Sequence, residues 1–358
     1  MTPQASPTGR VRLPRLRIAL GFAAAVVVLA GLAIALDWRA VLTVLGRTDP
    51  TLIAFAVVTA LFALVAWSES LRALFAASGA DLSIWDCLGP YGAATFVRLV
   101  VPVGQSLGPA VFVYLVGRHT DRSYSTDLAP TSIGEATNHL LSALLAITGG
   151  LLVFGTSAPV RQVRVLQIGL AAVFVTGLLL AAVLWFRRNS IRGWVLGGAA
   201  LLRATLGRVS TRLGRVLAPE RVDTSVTHYY ETAADLADDP RLLSRAVGLA
   251  AVGWLSTALS LALAAESVGV SVSIPLALFV IPPVGLLGFL PLPGALGGVE
   301  VALSALLVHL AGIELAAAAA VVLLFRLCTY WLPLVVSGGV FTWVWTVGWD
   351  RGERAREQ

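Results

Sequence analysis

The sequence has no lysine, only two cysteines and few charges of either sign. Charged residues make up 13% of the 358 residues, whereas 57% are hydrophobic. All 26 basic residues are arginines spread among loops, so the net charge of +6 does not indicate nucleic-acid binding. Cys87 and Cys328 lie far apart in apolar surroundings, which favours two buried side chains over a disulfide or a metal pair. We therefore expect no metal and no cofactor.

Long apolar runs predict an all-α, polytopic membrane helix bundle, because about 20 apolar residues are enough to span a bilayer. The run at 18–36 follows four arginines, but it is too long for the apolar part of a signal peptide, which indicates a retained helix. About six full spans are predicted, at 18–36, 51–67, 129–154, 164–186, 246–265 and 315–345.

Two further apolar regions, 87–117 and 272–312, are interrupted near their centres. Proline and glycine break the first region at Pro102, Gly104 and Gly108. Irregular backbone at membrane depth is tolerated only inside protein or beside a water-filled cavity. We predict two broken re-entrant hairpins, each of which enters and leaves the membrane on one side. Two full crossings per hairpin would also return the chain to the side on which it started. The second region is interrupted by Pro282, Pro283, Gly285, Gly288, Pro291, Pro293, Gly294, Gly297 and Gly298.

The arginines predict how the chain is oriented in the cell membrane. The N-terminal tail and the segment 187–245 are rich in arginine and are therefore expected in the cytoplasm. Parity then places both termini there. The segment 187–245 is either an amphipathic helix on the membrane surface or a solvated connector. The predicted divisions are a disordered tail 1–12, a membrane half 13–186, the connector 187–245, a membrane half 246–347 and a tail 348–358.

The two hairpins are each followed by a helix with one charged residue at the same distance. Pro102 lies 33 residues before Glu135, and Pro293 lies 33 residues before Arg326. Parity makes these two units run in opposite directions across the membrane. Inverted repeats with broken helices are how many transporters build a site at the membrane midplane. The spacing therefore predicts an inverted repeat.

Arg326 lies in an otherwise apolar run, where a lone arginine costs roughly 2.5–3.5 kcal/mol. We predict that it lies near Glu300 or Glu135. The pair is either a structural ion pair or part of a polar substrate site. Glu135, Asn138 and His139 share one helical face, as do Arg326 and Tyr330. The candidate substrate-binding or gating residues are Arg98, Glu135, Asn138, His139, Pro293, Gly297, Gly298, Glu300, Arg326 and Tyr330.

The stretch that carries Pro293, Gly294, Gly297, Gly298, Glu300, Arg326, Tyr330 and Pro333 resembles the lysylphosphatidylglycerol synthetase transmembrane family of flippase-like proteins. The first half departs from the family pattern at Arg98, where an Asn is common, and at His139, where an Asp is common. The resemblance implies two re-entrant hairpins and movement of lipids between leaflets. It implies no aminoacyl transfer, because the synthetase activity belongs to a separate soluble domain, and the tail after Val347 is too short for one.

These observations predict a translocator for a phospholipid or a lipid-linked sugar headgroup, with membrane lipids as partners and no nucleic acid. The alternative is a non-transporting accessory subunit that works with a glycosyltransferase or a lipid synthetase. An enzyme is not expected, because no Asp-rich motif, paired histidines or activated cysteine is present in the sequence. A homo-oligomer, the lipid and the energy source are left open.

Overall fold

A computed structural model describes residues 38–120, 124–155, 161–206 and 218–346. These residues form helices, turns and short loops, without any β-strand among them. The predicted span 18–36 and the tails 1–12 and 348–358 lie outside the described residues. The helices are α1 Trp38–Leu45, α2 Pro50–Ala77, α3 Ile84–Val100, α4 Gly104–Thr120, α5 Tyr124–Phe154, α6 Arg161–Phe186, α7 Arg188–Leu206, α8 Pro219–Asp238, α9 Pro240–Glu266, α10 Ile274–Gly285, α11 Gly298–Ala311, α12 Leu315–Arg326 and α13 Leu332–Thr346.

Six helical segments in the described part are long and apolar enough to cross a membrane, which confirms the all-α polytopic bundle. Five of them coincide with predicted spans. The sixth, Pro293–Ala311, falls inside the predicted second hairpin. It reaches spanning length only because a 3₁₀ turn precedes α11. The six segments are Pro50–Ala77, Thr126–Phe154, Val163–Phe186, Pro240–Glu266, Pro293–Ala311 and Leu315–Trp345.

Matching local signals recur in the two membrane halves at an almost constant separation. Asp49 caps α2, which begins at Pro50, and Asp239 caps α9 in the same way. Each aspartate accepts backbone N–H groups that the first turn leaves free. Ser83 and Ser273, which lie 190 residues apart, cap α3 and α10. Proline at the first helical position completes the start signals of α2 and α9.

The packing between the two halves is reciprocal. α2 packs along α9, α3 of the first half packs against α13, and α10 of the second half packs against α5. Glycine allows the closest of these approaches. A Cβ on Gly149 of α5 would lie 2.3 Å from the carbonyl oxygen of Pro275. A Cβ on Gly92 of α3 would lie 2.9 Å from Val340. Each hairpin is therefore held by the helix that follows the other one.

Both predicted interruptions are observed. The first lies between α3 and α4, where Val103 has a φ of 59°. The second runs from the 3₁₀ turn Leu286–Phe289 through the turn Pro293–Ala295 to Gly297. The four hairpin helices contain 17, 17, 12 and 14 residues. At 1.5 Å per residue they measure about 18–26 Å, which is less than the roughly 30 Å of a bilayer core.

The described part of the predicted connector 187–245, which leaves out 207–217, contains the helices α7 and α8, and α9 already begins at Pro240. The guanidinium of Arg192 in α7 donates two hydrogen bonds of 2.6 Å to the carboxylate of Asp223 in α8. The hydroxyl of Tyr230 in α8 donates to the carbonyl of Leu184 in α6, at 3.2 Å. Both contacts show α8 docked against the junction of α6 and α7.

Candidate functional site at the two helix breaks

Arg326 pairs with Glu300, one of the two carboxylates predicted for it. Its Nε donates to Oε1 of Glu300 at 2.7 Å, and a terminal nitrogen donates to the carbonyl of Gly294 at 2.8 Å. The other carboxylate oxygen accepts the N–H of Gly297 at 2.6 Å. The two side chains are only 9% and 5% exposed. The pair is thus buried and joins α12 to the second break and to the first turn of α11.

Tyr330 and Gly294 complete this buried arrangement. The guanidinium of Arg326 lies 4.3 Å from the centre of the Tyr330 ring, which is within cation–π range. Gly294 has a φ of 55°, and a Cβ there would lie 2.0 Å from the tyrosine ring. Gly297, with a φ of 84°, precedes the first residue of α11, and Pro293 starts the buried turn before it. Gly298 leaves room for a Cβ, 3.6 Å from Leu287.

The helix after Arg326 is locally widened into a π-helical turn, Leu327–Trp331. Such turns are frequent at functional sites, since one extra residue changes the direction of the side chains around it. Here the turn contains Tyr330, whose hydroxyl lies 3.4 Å from the carbonyl oxygen of Leu99 at the end of α3. The turn therefore brings the second-half charge pair into contact with the first hairpin.

Arg98 and Glu135 form a second ion pair in the first membrane half. Both terminal nitrogens of Arg98 donate to the Glu135 carboxylate. These side chains are 17% and 21% exposed, so this pair is more open than the Arg326 pair. Nε of Arg98 is buried and has no hydrogen-bond partner among the described residues. The side chain lies over Gly108, where a Cβ would come within 2.4 Å of it.

The sequence did not predict that Arg98 is the partner of Glu135. Arg98 lies before its break on α3, whereas Glu300 lies after its break on α11. The two pairs are therefore not exact equivalents. For this reason the spacing from the two prolines could not identify Arg98 as the partner of Glu135. The available signal was electrostatic: Arg98 is a second intramembrane arginine, and it needs a carboxylate just as Arg326 does.

His139 and Asn138 occupy different surroundings although they are neighbours on α5. Nδ1 of His139 is 2.7 Å from the carbonyl oxygen of Glu135. A carbonyl only accepts, so Nδ1 carries the proton. The exposed ring lies 5.6 Å from the ring of Phe289 in the second break. The Asn138 amide oxygen instead accepts from Trp254 of α9 at 2.9 Å, which ties two helices together.

The two breaks lie against each other. A Cβ on Gly288 in the second break would lie 3.1 Å from the Gln105 side chain just after the first. Nearby, Tyr330 contacts Leu99 just before the first break, and His139 of α5 contacts Phe289 in the second. Both ion pairs thus belong to hairpins whose breaks touch. Within the described ranges, no group of three or more His, Cys, Asp or Glu side chains could hold a metal.

Residues 18–337 match the family model described as the lysylphosphatidylglycerol synthase TM region. The chain belongs to this family. The match covers 320 of the 358 residues and includes both breaks and both ion pairs, which confirms the resemblance noted at Pro293–Pro333. Its membership of the lysylphosphatidylglycerol synthase TM-region family and the six apolar helices in its described part identify a multi-pass membrane protein that acts in lipid-related processes. Comparison with curated proteins finds no match.

Proposed function

We propose that the protein moves a phospholipid or a lipid-linked headgroup between the leaflets of the cell membrane, along a polar path between the two breaks. Three observations support this proposal. The helices of the two hairpins, called arms below, are short, two ion pairs lie within apolar segments, and the family is lipid-related. The acyl chains stay in the bilayer while the headgroup crosses. The protein performs no chemistry in this scheme.

An inverted repeat is part of the proposal. Its support is the recurrence of the same signals after 190 or 191 residues: the caps Asp49 and Asp239, and the charges Glu135 and Arg326. Gly79 and Gly269, which end α2 and α9 with φ values of 75° and 82°, obey the same separation. Two oppositely oriented halves with reciprocal packing can open a shared site to either side of the membrane. In this arrangement both hairpins are re-entrant.

The two ion pairs have different roles in the proposed mechanism. Arg326 and Glu300 are almost fully buried and hydrogen-bonded to the backbone of the second break. Their role is to stabilise the conformation of that break. Arg98 and Glu135 are partly exposed, and the Nε–H of Arg98 has no acceptor in the described part of the chain. This difference in exposure and hydrogen bonding is the observation that carries the proposal. Arg98 and Glu135 are the pair that a headgroup can enter.

A headgroup that enters this pair substitutes for one of its members. A lipid phosphate takes the place of the Glu135 carboxylate at Arg98, because arginine binds both groups with the same forked geometry. An amine on the same headgroup then pairs with Glu135. Breaking a buried pair without such a substitute costs roughly 3–5 kcal/mol. His139, one helical turn after Glu135, is the next exposed polar side chain on this face of α5.

Transbilayer movement in reconstituted vesicles tests the proposal. Fluorescent phosphatidylglycerol and phosphatidylethanolamine would be the probes, and reduction of the outer-leaflet dye by dithionite would measure their movement. Arg98→Gln should slow movement by roughly ten- to hundredfold, since hydrogen bonds to charged groups contribute about 1.5–3 kcal/mol. Arg326→Gln should lower thermal stability more than Arg98→Gln does, because it leaves the more deeply buried carboxylate unpaired.

Arg72→Gln is the matched control, because Arg72 pairs with Glu69 on α2 away from both breaks. It should leave movement unchanged. Wild-type rates in folded Arg98→Gln protein would remove Arg98 from the mechanism. If the wild-type protein moves neither probe but copurifies with a glycosyltransferase, the accessory-subunit alternative is favoured.

A further inference from the structure

α7 carries a large apolar side that the rest of the described structure leaves open. Trp194 is 81% exposed, Val195 41%, Leu201 69% and Leu202 49%. Successive residues turn about 100° around a helix, so these four positions share one side of α7. Arg192, which binds Asp223 of α8, lies on another side. Docking of α8 therefore does not cover the apolar side.

The charges in and next to α7 along the sequence all have one sign. The sequence contains no aspartate or glutamate between Glu135 and Glu220, whereas it has nine arginines there. Three of them, Arg187, Arg188 and Arg203, flank the ends of α7. In the part of the chain that the structure describes, Arg192 is the α7 arginine with a carboxylate partner. An apolar stripe bordered by arginines is complementary to anionic lipid headgroups.

The position of α7 along the chain also points to the bilayer. α6 ends at Phe186, and this side chain is 82% exposed. Only 6% of the apolar window of α6 is buried inside the protein, so this helix presents most of its surface to lipid. α7 begins two residues after Phe186, where the apolar run of α6 gives way to two arginines. Trp and Arg side chains at such a boundary anchor a helix at the membrane surface.

We propose that α7 lies on the bilayer surface, with the Trp194 side inserted among the lipid headgroups and with Arg187, Arg188 and Arg203 bound to anionic lipids. The proposal favours the surface helix over the solvated connector, the two alternatives that the sequence leaves open. The proposal concerns a lipid-binding surface outside the two breaks, and it does not depend on whether the protein translocates lipid.

Site-directed fluorescence tests it on the full chain in vesicles. Single cysteines would replace Trp194 on the apolar side or Ala200, which is exposed on a different side of α7. A polarity-sensitive fluorophore would be attached, with labelled wild type as the blank because Cys87 and Cys328 are buried. Quenching by spin-labelled lipid would be compared with quenching by aqueous iodide, in phosphatidylcholine vesicles with and without phosphatidylglycerol.

The dye at position 194 should be quenched several-fold more by lipid than the dye at position 200, and iodide should show the reverse order. Phosphatidylglycerol should increase lipid quenching at 194, and the triple substitution of Arg187, Arg188 and Arg203 by glutamine should remove that increase. Equal iodide quenching at both positions would overturn the surface location. Energy transfer between labelled copies without lipid quenching would assign the face to a second copy and overturn the proposal too. Lipid quenching at position 194 that is the same with and without phosphatidylglycerol would overturn the binding of anionic lipids.

Discussion

The residue that allows the second break to close around Arg326 is a glycine. Gly294 has a φ of 55°, and a Cβ added to it would lie 2.0 Å from the Tyr330 ring. Its carbonyl accepts a hydrogen bond from Arg326. Gly294→Ala should therefore destabilise the protein by at least the roughly 1–2 kcal/mol of a left-handed residue, with the displaced ring adding to that cost. Thermal unfolding in detergent would measure the loss.

Gly298→Ala is the control for this substitution. Gly298 follows directly after the same break, but among the described residues a Cβ there would meet Leu287 alone, at an ordinary 3.6 Å. The melting temperature of the Gly298→Ala variant should stay close to that of the wild type, because alanine has a higher helix propensity than glycine at this first position of α11. Equal melting temperatures for the two variants would show that the Tyr330 contact does not constrain Gly294.

At this scale the sequence predicted that Arg326 needs a carboxylate, because burial of an unpaired charge is so costly. It could not choose between Glu300 and Glu135. That choice depends on how α11, α12 and α5 are rotated and spaced, which no single-helix pattern contains. For the same reason the sequence could not predict that the amide oxygen of Asn138 accepts a hydrogen bond from Trp254. Whether the ten candidate residues bind or gate a lipid stays a prediction.

At the scale of an element, the first break is held by an unfavourable residue. Val103 has a φ of 59°, which is a left-handed conformation that a β-branched residue rarely adopts. Val103→Gly should therefore stabilise the protein by up to about 1.5 kcal/mol, since glycine avoids a penalty of roughly 1–2 kcal/mol and costs about 0.5–1 kcal/mol in chain entropy. The free energy of unfolding in detergent would show the gain.

Val100→Gly is the matched comparison, because Val100 is the last residue of α3, with helical geometry. The same change there should destabilise the protein by roughly 0.5–1 kcal/mol. A loss of stability in both variants would mean that Val103 contributes contacts worth more than its strain. Faster lipid movement in Val103→Gly vesicles would further indicate that the strained break opens during transport.

Proline and glycine located both breaks in the sequence, because these residues interrupt helices wherever they lie. The spans were found for an equally local reason, the length of apolar runs. What the sequence patterns missed were the paired caps and the lengths of the arms. Pro90, Pro109 and Pro130 lie inside helices rather than at their ends, so proline alone could not mark the arm boundaries.

At the scale of the whole molecule, the proposed inverted repeat makes a strict prediction about sidedness. The loop after α2 and the loop after α9 occupy equivalent places in the two halves, with Asp81 and Ser271 separated by 190 residues. Both residues are exposed. If the halves are inverted, these two positions face opposite sides of the membrane, and the arginine distribution places Asp81 in the cytoplasm.

Single-cysteine labelling in intact cells checks this directly. Asp81→Cys should react with a membrane-impermeant maleimide only after the cells are opened, whereas Ser271→Cys should react in intact cells. The buried Cys87 and Cys328 should give little background. Reaction of both positions from the same side would contradict the inversion, because helices related by parallel repetition keep equivalent loops on one side. Labelling of the two positions from opposite sides would mean that the two breaks, which contact each other, are reached from opposite leaflets. A lipid path between the leaflets requires this arrangement.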